Sequence, residues 1–419
     1  MDFKKLKKFI TNKKEFLWLM SGQGISIIFS FIIIKFITKI GTADFGVYSL
    51  ILSISALVSA ILIGPSEQGF VRYFFNFGGE ENKKRFLNVI YLFFFTITGL
   101  LILISVFFYF FNIIESPNVL LIGVFVVLFT FSSFFASIFN LIRERKLNTK
   151  LILLEKLIST GLLYVLKVFD ALNIKNVLVA LIISILISVF LRTRHLNLKF
   201  EYFLFNDIKL IGFREFAIYK KVFIFSIPFL IWGFFGWLQN SSDRWVIAHY
   251  SNLETVGIYS LMITLSSYLI ATPIGVVSQY FQPIIFENTS NQEKTQHEIK
   301  KYIITSVLIV VCGFLISLVL GKLILSFIAV TFSTYWYYLP FFSLSVGIFQ
   351  IGQCFTIHGL IYEKPKIYLT PKILIGVISL LLNIFGIYYF QIIGLTISIV
   401  LTSTIYLFMI IGVNKTALK

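Results

Sequence analysis

Apolar residues run along this chain in blocks of roughly 20, separated by short polar stretches rich in lysine and arginine. A helix rising 1.5 Å per residue needs about 20 apolar residues to cross a hydrocarbon layer about 30 Å thick. A window of about 19 residues moved along the sequence predicts about twelve such helices. They fall at 15–40, 45–66, 87–111, 118–142, 150–168 and 176–191, then at 222–242, 256–281, 302–320, 337–361, 367–389 and 392–413. Polar residues interrupt the fifth and sixth. The longest polar stretch, 192–221, separates two sets of six.

The two sets share a pattern. Gly46-Val47-Tyr48-Ser49-Leu50 recurs as Gly257-Ile258-Tyr259-Ser260-Leu261, 211 residues on. The same offset pairs Ser53 with Thr264, Ser55 with Ser266, Ala60 with Ala271, Gly64 with Gly275, Gln68 with Gln279 and Phe70 with Phe281. A proline lies beside each paired glycine (Pro65, Pro273) and should kink its helix. Chance recurrence in apolar sequence is the competing explanation. A true repeat of six spans with both termini on one side is parallel, with its axis along the membrane normal, an arrangement found in transporters. The expected fold is an all-α integral membrane protein, about twelve transmembrane helices in two pseudo-symmetric six-helix bundles around a central cavity.

Composition agrees. Of 419 residues, 58% are hydrophobic and 13% charged, and mean hydropathy is +0.91, where soluble domains are about half apolar and a quarter charged. A net charge of +17 would suggest nucleic acid in a soluble chain, but here it follows the loops, so no nucleic-acid partner is expected. On the alternating map, 29 of 36 lysines and arginines share one face. The positive-inside rule makes that face cytoplasmic and puts both termini there. The expected divisions are a cytoplasmic segment 1–14, an N-lobe 15–191, a cytoplasmic linker 192–221, a C-lobe 222–413 and a tail 414–419. The apolar run after Lys14 is too long for a signal-peptide core and reads as a retained first span.

Little in the sequence suggests catalysis. Cys312 and Cys354 are far apart, and His195, His249, His297 and His358 are isolated, so neither a disulfide framework nor a metal site is indicated. No phosphate-binding glycine loop and no paired carboxylates for group transfer occur. No cofactor is expected beyond a coupling ion, H+ or Na+.

Polar groups inside the spans are therefore the candidates. A cation at a helix centre costs about 2.5–3.5 kcal/mol, so it faces a cavity or a partner. Lys35, one turn before Lys39, reads either as snorkelling to the interface or as facing a cavity. Glu155 and Lys156 lie one turn inside the fifth span and read as a local solvated pair or as site residues. Glu67, Gln68 and Arg72 close the second span, where Arg72 doubles as a positive-inside anchor. Gln239, Asn240, Asp243 and Arg244 put a polar face at the outer end of the seventh span, or cap it. Gln279 with Gln282, and Gln350 with Gln353, lie three apart and suit sugar hydroxyls or helix–helix bridges.

The chain resembles a known family. Gly41-Thr42-Ala43-Asp44-Phe45-Gly46-Val47-Tyr48 is similar to that family's G-x-x-x-[FY]-G-x-Y element after the first span. Ser241-Ser242-Asp243-Arg244 with Val256-Gly257-Ile258-Tyr259-Ser260 resembles its counterpart in the second half. Leu380-Leu381-Leu382-Asn383-Ile384 followed by Ile393-Gly394-Leu395-Thr396 resembles the pattern between the eleventh and twelfth spans. Together they resemble the polysaccharide flippases, the O-antigen or capsular repeat-unit translocases of the multidrug/oligosaccharidyl-lipid/polysaccharide exporter superfamily.

That resemblance implies a non-enzymatic carrier in the bacterial inner membrane. It would move an undecaprenyl-diphosphate-linked oligosaccharide from the cytoplasmic to the outer leaflet by alternating access. A polysaccharide polymerase and a chain-length regulator would be its partners, and it would act as a monomer. Lys35, Arg72, Lys156 and Arg244 would hold the diphosphate, Gln279, Gln350 and Gln353 the sugars, and Glu67, Glu155 or Asp243 a coupling ion. Three other readings stay open: a membrane-embedded polymerase or ligase, a drug or cation exporter of the same superfamily, and a scaffold that does not transport. Short outer loops weigh against the first, and cations outnumbering acids weigh against the second.

Overall fold

The computed structural model describes residues 3–74, 80–110, 119–200, 212–287, 291–362 and 364–417. These residues are helical almost throughout and include no strand. Inside a bilayer every backbone N–H and C=O needs a partner within the chain, which a helix supplies. The order is α1 (Phe3–Ile37), α2 (Thr42–Val58), α3 (Gly64–Phe74), α4 (Glu80–Phe110), α5 (Val119–Leu141), α6 (Arg145–Val168) and α7 (Ile174–Lys199). It continues with α8 (Phe213–Ser241), α9 (Asp243–Tyr250), α10 (Leu253–Ser266), α11 (Thr272–Glu287), α12 (Gln292–Ile328), α13 (Leu339–Phe355), α14 (Ile357–Ile361) and α15 (Leu369–Ala417).

Ten helical stretches among the described residues are long and apolar enough to cross a membrane, making this a multi-pass membrane protein. α15 counts once, although Gln391 (φ 51°, ψ −139°) breaks it into the expected eleventh and twelfth spans. α6, the expected fifth, is not among the ten and carries Lys150, Glu155, Lys156 and Lys167. Large apolar side chains such as Leu103 and Val319 stand more than two-thirds exposed, as lipid-facing positions do.

Two boundaries differ from the sequence expectation. α7 continues to Lys199 and α8 begins at Phe213, so both ends of the expected linker 192–221 are helical, and 201–211 lie outside the described residues. The seventh span also does not end at Ser242. Ser242 keeps helical angles (φ −69°, ψ −25°), its carbonyl accepts from the amides of Trp245 and Val246, and α9 carries the helix onward. Tyr250, at the end of α9, packs edge-on against Tyr388 of α15 with ring centres 5.9 Å apart. The polar run Gln239–Arg244 thus interrupts a longer pass instead of capping its outer end.

The chain forms two compact units, Met1–Ile37 with Ile51–Phe234, and Thr38–Leu50 with Phe235–Lys419. In the first, Phe70 sits among Phe86, Phe93 and Phe134, with ring centres 5.4–5.7 Å away. In the second, Ile270, Ile274, Ile285, Ile299, Tyr302 and Val310 form a buried cluster. Each expected proline kink is a π-helical turn, Ser59–Ile63 before Pro65 and Ser267–Ala271 before Pro273. A proline has no N–H and its ring crowds the preceding turn, and a wider turn accommodates both defects.

The repeated pentapeptides meet each other. Within the second unit, Ser49 and Ser260 share a hydrogen bond of 2.5 Å between hydroxyls. A Cβ on Gly46 would strike the Leu253 carbonyl, and one on Gly257 would strike the Thr42 carbonyl. Thr42 and Leu253 are themselves 211 residues apart, so the contact is locally two-fold symmetric. Glycine lets the two backbones approach, as small residues do in membrane helix crossings.

Candidate functional site

The second unit holds a cavity of about 200 Å³ between α8, α10, α13 and α15. Hydroxyls and amides line much of it, from Gln239, Asn240, Ser345, Gln350, Ser379, Thr402 and Ser403, beside the apolar Ile263, Val346 and Phe349. Serine pairs hold the wall: Ser345 Oγ lies 2.8 Å from Ser403 Oγ and donates to the Ile399 carbonyl at 2.9 Å. Such inter-helix hydrogen bonds replace partners that hydrocarbon cannot offer.

Lys372 reaches two residues of this cavity's wall, Gln239 and Phe349. Its side chain is 7% exposed. Its Nζ donates to Gln239 Oε1 at 3.0 Å and lies 5.3 Å from the ring centre of Phe349 and 5.8 Å from that of Tyr406. Among the described residues no carboxylate forms an ion pair with it. One hydrogen bond and two ring faces only partly offset the desolvation of an ammonium ion. Such a group favours a bound anion.

The carboxylate in this cavity is already engaged. Asp243 is buried, accepts a hydrogen bond from the Tyr259 hydroxyl and another from the Arg244 amide at 2.8 Å, and pairs with Arg244 Nη1 at 3.4 Å. Arg244 also donates to the Asn240 carbonyl at 3.2 Å and lies 5.9 Å from the Tyr259 ring centre.

The other candidates separate. In this unit Gln353 sits beside Tyr406, and Gln279 is exposed on α11. In the first unit Arg72 is exposed and its guanidinium lies 5.1 Å from the Phe225 ring centre, while Lys35 is half-buried on α1. Glu67 is half-buried beside Ser137. Glu155 and Lys156, adjacent in sequence, take different partners. Lys156 donates to the Ser26 carbonyl at 3.0 Å and to the Ser30 hydroxyl. Glu155 accepts from Ser132 at 3.0 Å and pairs with Arg192 at 3.8 Å. This is no simple solvated pair.

Sequence reasoning missed two cations, Lys372 and Arg192, by counting both with the cytoplasmic-face cations. Arg192 is 1% exposed, with Nη1 donating to the Ser132 hydroxyl at 2.7 Å and to its carbonyl at 3.1 Å. A signal existed for both. Lys372, Gly376, Ser379 and Asn383 fall on one helical face, as do Ser184, Ser188, Arg192 and His195.

Comparison with known proteins places the architecture. The chain superposes on an inward-facing MATE-family multidrug resistance transporter of the MOP superfamily with a TM-score of 0.69 at 12% identity, covering 96% of this chain and 99% of that one. On the lipid II flippase MurJ in an inward closed conformation the TM-score is 0.73 at 12% identity, covering 96% and 87%. On the Vibrio cholerae MATE transporter VcmN it is 0.64 at 14% identity, covering 97% and 96%. At these identities the likeness shows the fold alone. No curated protein matches the sequence. Residues 39–340 match the family described as "Polysaccharide biosynthesis protein". The chain belongs to that polysaccharide biosynthesis family, and its fold is that of the MOP-superfamily flippases and transporters.

Proposed function

We propose that the protein flips a lipid-linked oligosaccharide, an undecaprenyl-diphosphate-bound repeat unit of O-antigen or a related surface polysaccharide, from the cytoplasmic to the outer leaflet. Lys372 carries the reading: a buried lysine with no carboxylate partner among the described residues, hydrogen-bonded to Gln239 in the wall of a cavity of hydroxyls and amides. Such a lining suits phosphate and sugar better than an organic cation, since the one carboxylate there already has Arg244 and Tyr259. A sugar–diphosphate head cannot cross hydrocarbon unaided, whereas its lipid tail can stay in the bilayer. Arg244, Gln350 and Gln353 are the further head-group candidates in this unit, and Lys35, Arg72 and Lys156 those in the other.

The positive-inside count supports a bacterial inner-membrane location with both termini cytoplasmic. A head of charge about −2 moving outward gains about 4.6 kcal/mol per 100 mV of inside-negative potential. The potential alone can therefore drive transport, with H+ or Na+ as an added coupling ion. A polymerase and a chain-length regulator would take over the flipped unit. The test is deletion in a strain lacking related flippases. Lipid-linked repeat units should stay on the cytoplasmic leaflet, and Lys372→Met should reproduce the defect at normal membrane abundance. Outer-leaflet delivery that persists after deletion refutes the proposal.

A further inference from the structure

Lys372 does not itself line the cavity. Gln239 and Phe349 do, and both stand against its ammonium group, Gln239 Oε1 at 3.0 Å and the Phe349 ring centre at 5.3 Å. Tyr406 covers another side, its ring centre 5.8 Å from Nζ. An ammonium group only donates, so the oxygen end of the Gln239 amide must face it. The helix backbones already touch here: a Cβ on Gly376 of α15 would lie 3.1 Å from the Phe235 carbonyl of α8. A ligand in the cavity therefore reaches Lys372 only if a wall side chain swings aside.

Gln239 is the side chain held least. Its neighbour Asn240 is tied to its own helix, with Nδ2 donating to the Gly236 carbonyl at 2.8 Å. Gln239 is half-buried, and among the described residues its amide has no hydrogen-bond partner other than Lys372. One hydrogen bond thus keeps it in place. Once displaced, it meets the hydroxyls of Ser345, Ser379, Thr402 and Ser403 in the same wall, so its polar atoms need not be stranded.

We infer that Gln239 is the gate of the anion site: its carboxamide occupies the place on Lys372 that an oxyanion takes, and the oxyanion binds by displacing it. The chemistry selects the ligand. The amide oxygen offers the ammonium a dipole, whereas a phosphate or diphosphate oxygen adds a full charge in surroundings of low dielectric. A neutral hydroxyl brings no charge and gains nothing over the amide it would replace. An organic cation is repelled by Lys372. The gate rests on the transport reading for the source of its oxyanion. There it opens for a lipid-linked diphosphate and stays shut to a neutral glycolipid.

Calorimetric titration of the full-length protein in lipid nanodiscs, with inorganic diphosphate and then with farnesyl diphosphate, tests the gate. An ordinary wall ligand weakens binding when it is removed, but a side chain that competes with the anion strengthens it. Gln239→Ala should therefore bind inorganic diphosphate about two- to tenfold more tightly than wild type, the net worth of one intramolecular hydrogen bond. Gln239→Glu, nearly the same shape, sets a carboxylate on the ammonium and should weaken binding by about tenfold or more. Unchanged or weaker binding in Gln239→Ala overturns the gate. So does undiminished binding in Gln239→Glu, which decides the matter should the alanine variant fail to fold. Equal tightening in Gln350→Ala, which removes a wall amide not bonded to Lys372, also overturns it. Farnesyl diphosphate binding no tighter than inorganic diphosphate, with the Gln239→Ala gain intact, overturns the lipid-linked reading alone. Tighter farnesyl diphosphate binding without that gain overturns the gate alone. Binding that survives Lys372→Met in full overturns both.

Discussion

Gly46 and Gly257 should be intolerant of even one added methyl group. In Gly46→Ala the new Cβ would overlap the Leu253 carbonyl, with Gly257 N only 3.2 Å away; in Gly257→Ala it would overlap the Thr42 carbonyl, with Gly46 N at 3.2 Å. These neighbours are backbone, so no side chain can rotate aside, and the segments must separate. Overpacking of this sort costs about 1–3 kcal/mol. Separation also stretches the 2.5 Å Ser49–Ser260 hydrogen bond, worth about 0.5–1.5 kcal/mol. Each single variant should therefore lose about 1.5–4.5 kcal/mol. One separation relieves both clashes, so the double variant should lose clearly less than the sum of the singles. Thermal unfolding of the purified protein in detergent, followed by tryptophan fluorescence, reads the effect. At about 2–4 °C per kcal/mol for mid-sized domains, a fall of roughly 3 °C or more is expected for each single variant. Gly161→Ala is the control: open space surrounds that helix position, and replacing a helical glycine gains about 0.5–1 kcal/mol. Wild-type stability in Gly46→Ala, or full additivity in the double variant, refutes the self-docked repeat.

Lys372→Met should abolish glycan export while membrane abundance stays normal, whereas Lys372→Arg, which keeps the charge, should retain part of it; quantitative glycan display in a deletion strain separates the two. Tyr259→Phe leaves a lone pair of the buried Asp243 unsatisfied and should destabilise by about 1–3 kcal/mol, measured as a lower unfolding temperature. Arg192→Met strands Glu155 opposite an apolar group and should lower the yield of folded protein, a loss of about 3–5 kcal/mol. Adding Glu155→Met should restore much of that yield in size-exclusion profiles. Glu144 has its carboxyl held below the usual range, first by the hydrogen bond from Lys199 and then, against burial, by the charges of Lys199 and His195. A depressed carboxylate stabilises the fold at pH above its unfolded value of about 4.3 and loses that contribution as pH falls through the lower folded value. The partly exposed pair is worth under about 1 kcal/mol, so Glu144→Gln should be slightly less stable than the parent above about pH 4.3, and the two acid-unfolding curves should converge as pH falls through the lower folded value.

Hydropathy made the spans legible, because hydrocarbon thickness and helix rise leave one solution for each apolar block. The 211-residue repeat was legible too, although the sequence does not show that its two copies would touch. Gly46 and Ser49 need each other's counterparts for reasons of contact, and a single chain read end to end shows only the recurrence. Depth was lost at the seventh span. Hydropathy ends it at the polar run Gln239–Arg244, but the angles of Ser242 remain helical and α9 carries the pass onward. The two missed cations share one cause. The positive-inside rule sorts lysine and arginine by side of the membrane, yet a long cation within a few residues of a helix end can reach solvent or reach inward along its own helix. What decides is the face it occupies, and the companions on that face are readable. Gly376, Ser379 and Asn383 follow Lys372 on one side of α15, and Ser184 and Ser188 precede Arg192 on one side of α7. Small and hydroxylic residues give no hydrocarbon-facing surface, so a cation ending such a stripe is steered toward protein. Sorting the cations by stripe as well as by side would have set these two apart from the topological majority. It would also have told the two apart: a lysine with no carboxylate partner among the described residues, and an arginine paired with Glu155.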